Sequence, residues 1–371
     1  MRRPDLRVAA WAGVLLALLL GAPTAAAQGS PTWLRTVRET PLWSGPTDPA
    51  EQFTILPAGS SVLLESPSAG ARVLVYYPGD GRSGLPGPAW LASGDLMPSG
   101  PPAWITDADL TVPDAPRRAA YIAPPDVSAP EVVVLDDASG ALLYGRAAHA
   151  RQSPASTTKI VTAMVALDMA PQLDARLPIT VDGWAMAVAD GSSIMGLAPG
   201  TRLSIRTLLF GLLLPSGNDA AEQLASGLGE SRALFVQAMN DRVAALGLRD
   251  THFVNPSGLD APSHYASAYD LAQLARAAMA DDTFREIVST PSYSAEGFAL
   301  RGHNPLLGVY PGTDGVKTGT TDQAGRAMVA SVVRDGHRVL VVVMHSDDLV
   351  ADCSALFDWV WATFRWDPLS S

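Results

Sequence analysis

Hydrophobic and polar positions divide this chain into stretches with different periods. Between residues 33 and 97, short apolar runs end at Pro and Gly, as in "FTILPAGSSVLLE" and "ARVLVYYPGDG", with "PAWLAS" a further short run. Such runs, punctuated by turn residues, predict strands, and several in succession predict a small β-barrel. From Pro98 to Pro130 there are eight prolines and little periodicity, which predicts a semi-rigid linker. Next, "EVVVLDDASGALLYG" predicts a hairpin around an Asp-Asp-Ala-Ser-Gly turn. Helical spacing dominates the middle, in "STTKIVTAMVALDMA", "IRTLLFGLLL", "NDAAEQLASGL" and "SRALFVQAMNDRVAALGL". "GRAMVASVVRDGHRVLVVVMH" predicts a second hairpin turning at Asp335-Gly336, and "DDLVADCSALFDWVWATF" a closing amphipathic helix. Strands at both ends with helices between predict an α+β domain over 131–366, an antiparallel sheet covered by helices.

The first residues follow a different pattern. Arg2, Arg3 and Arg7 precede an apolar run from Val8 to Ala22, then small residues up to Ala27. This three-part layout predicts a secretory signal peptide over 1–27. The run is shorter than the ~20 residues of a spanning helix, although an uncleaved anchor is the alternative reading. No Cys lies near the cut, and no basic amphipathic tail follows residue 366. The chain is therefore expected to work outside the cytoplasmic membrane, secreted, periplasmic or wall-associated.

Composition narrows the function classes. A net charge of −11 argues against a general nucleic-acid binder, and 47% hydrophobic residues allow a sizeable core. The lone Cys353 cannot form an internal disulfide and is expected to pack as a small apolar residue. Six scattered His, with no His-Glu-x-x-His, offer no metal site, and His264 is expected to be structural. No cofactor is called for.

The most informative count is of cations: of 26 Lys and Arg, only Lys159 and Lys317 are Lys. Ser153 suits an N-cap and Pro154 the first helical position, which places Ser156 in a first helical turn with Lys159 on its face. An arginine stays protonated at any working pH, whereas a buried lysine loses its proton readily. Lys159 is thus a candidate general base and Ser156 its nucleophile. Ser216-Gly217-Asn218 falls between two helical segments, where a hydroxyl could pass protons and a carboxamide could hold a substrate amide. Lys317-Thr318-Gly319 precedes the last hairpin. Its ammonium and hydroxyl suit a carboxylate, and Gly319 permits close backbone approach. A second positive charge near Lys159 would lower the Lys159 pKa further.

Ser156-x-x-Lys159, Ser216-Gly217-Asn218 and Lys317-Thr318-Gly319, in this order, resemble the serine DD-peptidases and β-lactamases. "SPASTTKIVTAMVALD", "LGLRDTHFVNPSGLD", "HYASAYDLAQLA" and "DGVKTGTTDQAGRAMVAS" make the resemblance one to the low-molecular-mass penicillin-binding proteins, the D-alanyl-D-alanine carboxypeptidases, over about 128–366. It implies a five-stranded antiparallel sheet with helices and a site at their junction. It implies that Ser156 attacks the D-Ala-D-Ala peptide bond of a peptidoglycan stem, Lys159 takes its proton and Ser216 relays one to the leaving group. Asn218 would orient the substrate amide. Lys317, Thr318 and Gly319 would line the carboxylate side, and the backbone N–H groups of Ser156 and Thr320 would form the oxyanion hole. β-Lactams would acylate Ser156. Residues 33–97 resemble a bacterial SH3-like module, which implies contact with wall peptide or glycan; an inert spacer is the alternative.

Rivals remain at this level. A class A β-lactamase is disfavoured, because no Glu between 219 and 316 has Asn four residues on. A DD-endopeptidase of cross-links, or a non-catalytic penicillin- or wall-binding sensor, uses the same residues.

Overall fold

The computed structural model describes residues 33–43, 46–47, 50, 52–69, 71–77, 87–99, 116–118 and 122–366. The expected signal segment and most of the expected linker lie outside them. Among the described residues, one compact unit takes those up to 123 together with 141–144 and 362–366; the other takes 124–140 and 145–361.

The first unit carries strands β1 (Trp33–Thr36), β2 (Thr40–Trp43), β3 (Gln52–Leu56), β4 (Ser61–Ala69), β5 (Arg72–Tyr77), β6 (Gly87–Ala92) and β7 (Leu96–Pro98). They form one antiparallel sheet in the order β3-β2-β6-β5-β4-β1-β7. Period-two burial explains the strands. Val73, Val75 and Tyr77 are buried on one face of β5, and Ala89 and Leu91 meet them from β6. Within the expected linker, β8 (Arg117–Arg118) pairs with β18 (Phe364–Arg365). That short strand was not expected from so proline-rich a segment.

A five-stranded antiparallel sheet follows, as the resemblance implies. Its strands are β9 (Glu131–Asp136), β10 (Leu142–Arg146), β15 (Thr313–Thr321), β16 (Gly325–Arg334) and β17 (His337–Met344), in the order β10-β9-β17-β16-β15. Val132 to Leu135 are all fully buried, which is why "EVVVLD" reads as a continuous apolar run rather than an alternating one. Asp335 and Gly336 turn the β16–β17 hairpin with both φ values positive, 52° and 82°, the geometry a two-residue loop needs. Smaller pairs complete the strands: β11 (Arg176–Pro178) with β12 (Arg202–Ser204), and β13 (Ser292–Ala295) with β14 (Phe298–Arg301).

The helices are α1 (Lys159–Met169), α2 (Gly183–Asp190), α3 (Ile205–Leu213), α4 (Asn218–Leu228), α5 (Arg232–Ala245), α6 (Ala268–Met279), α7 (Asp282–Ser289) and α8 (Leu349–Thr363). α6 packs on β9 and β17, and α1 packs on α3, α4, α5 and α6. The closing helix buries Cys353, Leu356, Phe357 and Val360, a stripe at i, i+3, i+4 and i+7. Among the described residues, no helix is long and apolar enough to cross a membrane.

The start of α1 departs from expectation. Residues Ala155–Thr158 form a 3-10 turn, and the α-helix begins at Lys159 itself. No side chain caps either element, because Ser153 Oγ donates instead to the Asp260 carboxylate. The consequence favours the motif. In a 3-10 turn, side chains at i and i+3 eclipse, so Ser156 and Lys159 stand directly over one another.

Candidate active site

The sequence-predicted residues converge on that turn. Lys159 is fully buried, and its Nζ lies 2.9 Å from Ser156 Oγ, 2.7 Å from Asn218 Oδ1 and 2.5 Å from the Ser257 carbonyl, so that a neutral amine can donate to the last two and accept from the serine hydroxyl. All three oxygens are neutral. Burial, reinforced by the Lys317 charge and only partly opposed by Asp219 and Glu222, holds this amine well below the usual lysine range. An unprotonated Lys159 next to a serine hydroxyl can accept its proton.

Lys317 is 2% exposed and donates to Ser216 Oγ at 3.0 Å and to the Thr318 carbonyl at 2.8 Å. Burial pushes its pKa down to about 7. Ser216 is held at φ 62°, a left-handed conformation a non-glycine residue rarely adopts, between the end of α3 and the start of α4. Ser216 and Lys317 therefore form a second hydroxyl–amine pair beside the first.

Two glycines set how closely these pieces meet. β15 is an edge strand that runs against the 3-10 turn. A Cβ on Gly319 would come within 2.9 Å of the Ser156 nitrogen and of Ala155 Cβ. Gly258, at φ 89°, approaches from the 255–259 loop, where a Cβ would come within 1.9 Å of the Ala155 carbonyl oxygen. Any side chain at either position would move the turn that carries Ser156.

Several residues that hold the site were not singled out from the sequence. Asp219, fully buried, accepts from the amides of Met195, Gly196 and Leu197, each at 2.9 Å, and so fixes the loop before β12 against α4. Ser192 Oγ accepts from Asn218 Nδ2 at 3.0 Å, which orients the carboxamide with its oxygen towards Lys159. Ser257 contributes only its carbonyl, in a loop closed by Asn255 Oδ1 accepting from the Gly258 amide at 2.7 Å. Asp260 accepts from Ser153, from Thr321 Oγ1 at 2.8 Å and from the Gln323 amide at 3.1 Å. Burial alone would raise the Asp260 pKa, but those hydrogen bonds hold it below the usual carboxylate value. The available signals were the Asp directly after Ser-Gly-Asn and the Asn-Pro-Ser-Gly turn. His264 is structural in its contacts. It accepts from the Val254 amide at Nδ1 and contacts Thr158 Oγ1 through Nε2 at 2.9 Å, with burial lowering its pKa to about 4.

This geometry agrees with the outcome of sequence and structure comparison. The model of a family described as D-alanyl-D-alanine carboxypeptidase matches residues 118–348. The chain belongs to the D-alanyl-D-alanine carboxypeptidase family. It is 38% identical over 273 residues to D-alanyl-D-alanine carboxypeptidase DacB2 of Mycobacterium tuberculosis, covering 69% of this chain and 88% of that one. It is 39% identical over 233 residues to DacD of Escherichia coli, covering 60% of each chain. Among solved structures, a Streptomyces DD-transpeptidase superposes with a TM-score of 0.61 at 33% identity, over 65% of this chain and 100% of that one. Penicillin-binding protein 6B from Escherichia coli superposes with a TM-score of 0.62 at 34% identity, over 67% and 81%. The fold of the second unit is thus the family's α+β fold.

Proposed function

We propose that this chain is a serine D-Ala-D-Ala carboxypeptidase that trims the terminal D-Ala from peptidoglycan stem peptides through an acyl-enzyme on Ser156. One observation carries the reading. A fully buried lysine amine lies 2.9 Å from a serine hydroxyl, and its hydrogen-bond partners among the described residues are all neutral oxygens.

Lys159 removes the Ser156 proton as the oxygen attacks the carbonyl of the penultimate D-Ala. The tetrahedral oxyanion is taken by the Ser156 and Thr320 backbone N–H groups, each such donor contributing about 3 kcal/mol. Ser216, hydrogen-bonded to Lys317, relays a proton to the leaving D-Ala nitrogen. Asn218 holds the substrate amide, while Lys317, Thr318 and Gly319 line the carboxylate side. Water then releases the trimmed peptide. β-Lactams enter by the same attack, and the opened ring stays attached to Ser156. The catalytic domain is assigned to 131–366, preceded by the linker over 98–130.

Secretion through the segment 1–27 places the enzyme outside the cytoplasmic membrane, beside its substrate. Residues 33–97 serve as an SH3-like module that contacts the wall; their sheet has its own core, Leu34, Leu42, Leu56 and Val62 among them, so they form a separate body suited to that use.

The test is mass spectrometry of products from a D-Ala-D-Ala pentapeptide and from a cross-linked muropeptide, with wild type and Ser156→Ala. Loss of one D-Ala from the pentapeptide, together with penicillin labelling that vanishes in the variant, is the expected result. Cleavage of the cross-link alone would make the enzyme an endopeptidase, and labelling that survives Ser156→Ala would move the nucleophile elsewhere.

A further inference from the structure

Away from the catalytic turn lies a surface cavity of about 410 Å³ that no step of the reaction uses. Asp137, Leu246, Gln273, Arg276, Ala277 and Ala280 line it. Gln273, Arg276, Ala277 and Ala280 fall at i, i+3, i+4 and i+7, one stripe running off the C-terminal end of α6. Asp137 comes from the turn between β9 and β10, and Leu246 directly follows α5.

The polar groups of this cavity are fixed in place but not used up. Arg276 Nε donates to the Asp137 carbonyl at 2.5 Å and Nη2 to the Ala138 carbonyl at 3.1 Å, which clamps the guanidinium against the turn. A Cβ on Gly140, at φ 72°, would come within 2.8 Å of Nη1, so the turn closes this tightly only because that residue is glycine. Nη1 itself makes no hydrogen bond among the described residues, and neither does the Gln273 carboxamide. The Asp137 carboxylate has one partner among them, Arg338 at 3.5 Å, a long contact. Burial raises its pKa although Arg338 and Arg276 both oppose the rise. Leu246, 38% exposed, joins Ala277 and Ala280 as the apolar part of the lining.

We propose that this cavity is a binding site for a free α-amino acid with an aliphatic side chain of about leucine size. Its carboxylate accepts from Arg276 Nη1 and the Gln273 amide, its ammonium donates to Asp137, and its side chain lies along Leu246, Ala277 and Ala280. An ammonium supplies the short charge-assisted bonds that the Asp137 carboxylate lacks. A ligand carrying only one of the two charges would leave the other protein group desolvated and without a partner. The space exceeds what alanine would fill and falls within the ~300–1,000 Å³ of small-ligand pockets. None of the lining residues belongs to the catalytic constellation, so the site stands or falls separately from the acyl-transfer reading.

Calorimetric titration of the full-length protein tests this, with each enantiomer of leucine, with isocaproate, which lacks the ammonium, and with leucinamide, which lacks the carboxylate. Wild type should bind at least one enantiomer saturably, and the two analogues at least about 10-fold more weakly. Asp137→Asn should lose about 10-fold in affinity for leucine and keep its affinity for isocaproate. Ala277→Met, which fills the cavity without touching the catalytic groups, should lose leucine binding while its thermal melt shows a folded protein. Leucine binding should be the same with and without penicillin. No saturable binding of either enantiomer, or equal affinity for leucine and both analogues, overturns the proposal. So does an unchanged Kd in Asp137→Asn, or binding that penicillin abolishes, which would put the amino acid in the catalytic cleft.

Discussion

Near its start and at its middle, strand β15 holds charge in opposite ways. At Asp314 every charge has a counterpart: Arg338 donates to Asp314 at 2.6 Å and to Asp137 at 3.5 Å, and Ser331 donates to Asp314 at 2.6 Å. Three residues further along the same strand, Lys317 is buried with a hydroxyl and a carbonyl as its acceptors and no carboxylate. Burial raises Asp137 and works against Arg338, yet the opposite charges keep Arg338 firmly protonated. At Lys317 nothing offsets burial, and the pKa falls to about 7. The paired position is built to be stable, whereas the unpaired one keeps its amine easy to deprotonate. A buried amine without a carboxylate is a better pointer to chemistry here than a partly buried ion pair.

That contrast can be broken most severely at Lys159. Lys159→Arg keeps a positive charge in place of a neutral base, and acylation by penicillin or peptide should fall by roughly 10³-fold or more, read as single-turnover kinetics. Turnover near that of wild type would remove the proposed base. At the paired position, Arg338→Leu should leave two carboxylates facing each other and cost about 2–3 kcal/mol in denaturant unfolding, below the fully buried case because the cluster is partly solvated. Its acylation rate should be unchanged; a large loss of rate would couple the two positions.

Lys317→Met sharpens the same comparison in the other direction. It should impair catalysis yet stabilise the fold by about 1–2 kcal/mol at neutral pH, because a desolvated amine is removed along with its two hydrogen bonds. The pH dependence carries the sign. Between about 7, the folded value, and 10.5, the ordinary one, the unfolded chain binds a proton at Lys317 that the folded chain does not. Wild-type stability should therefore rise with pH across that window and level off below it, relative to the Met variant. Parallel stability curves would show that Lys317 titrates normally. The smallest effect is expected from Asp260→Asn. It keeps the shape but weakens the bonds to Ser153 and Thr321, costing about 1 kcal/mol and slowing acylation a few-fold.

How far the sequence carried depended on the kind of contact. The scarcity of Lys and the Ser-x-x-Lys spacing pointed to Ser156 and Lys159 because side-chain chemistry is written in residue type. The strands of the sheet were legible in their apolar runs, and the Asp335-Gly336 turn in its two residues suited to positive φ. The Ser257 carbonyl was not legible, since any residue has a carbonyl and only the loop's path brings this one to Lys159. Asp219 was passed over for a similar reason: its partners are backbone amides. The mistaken cap at Ser153 has a tertiary cause, as Asp260, over a hundred residues later, claims that hydroxyl. Helix α2 and the β13–β14 hairpin were missed although Asp182 caps α2, accepting from the Ala185 amide, and Gly191 ends it at φ 69°.

Asp260 has one further consequence. A single carboxylate fastens both the segment leading into the Ser156 turn and the far end of strand β15, so turn and strand share one bracket. A substitution at this position should loosen turn and strand together while leaving Ser156, Lys159, Ser216 and Lys317 unaltered.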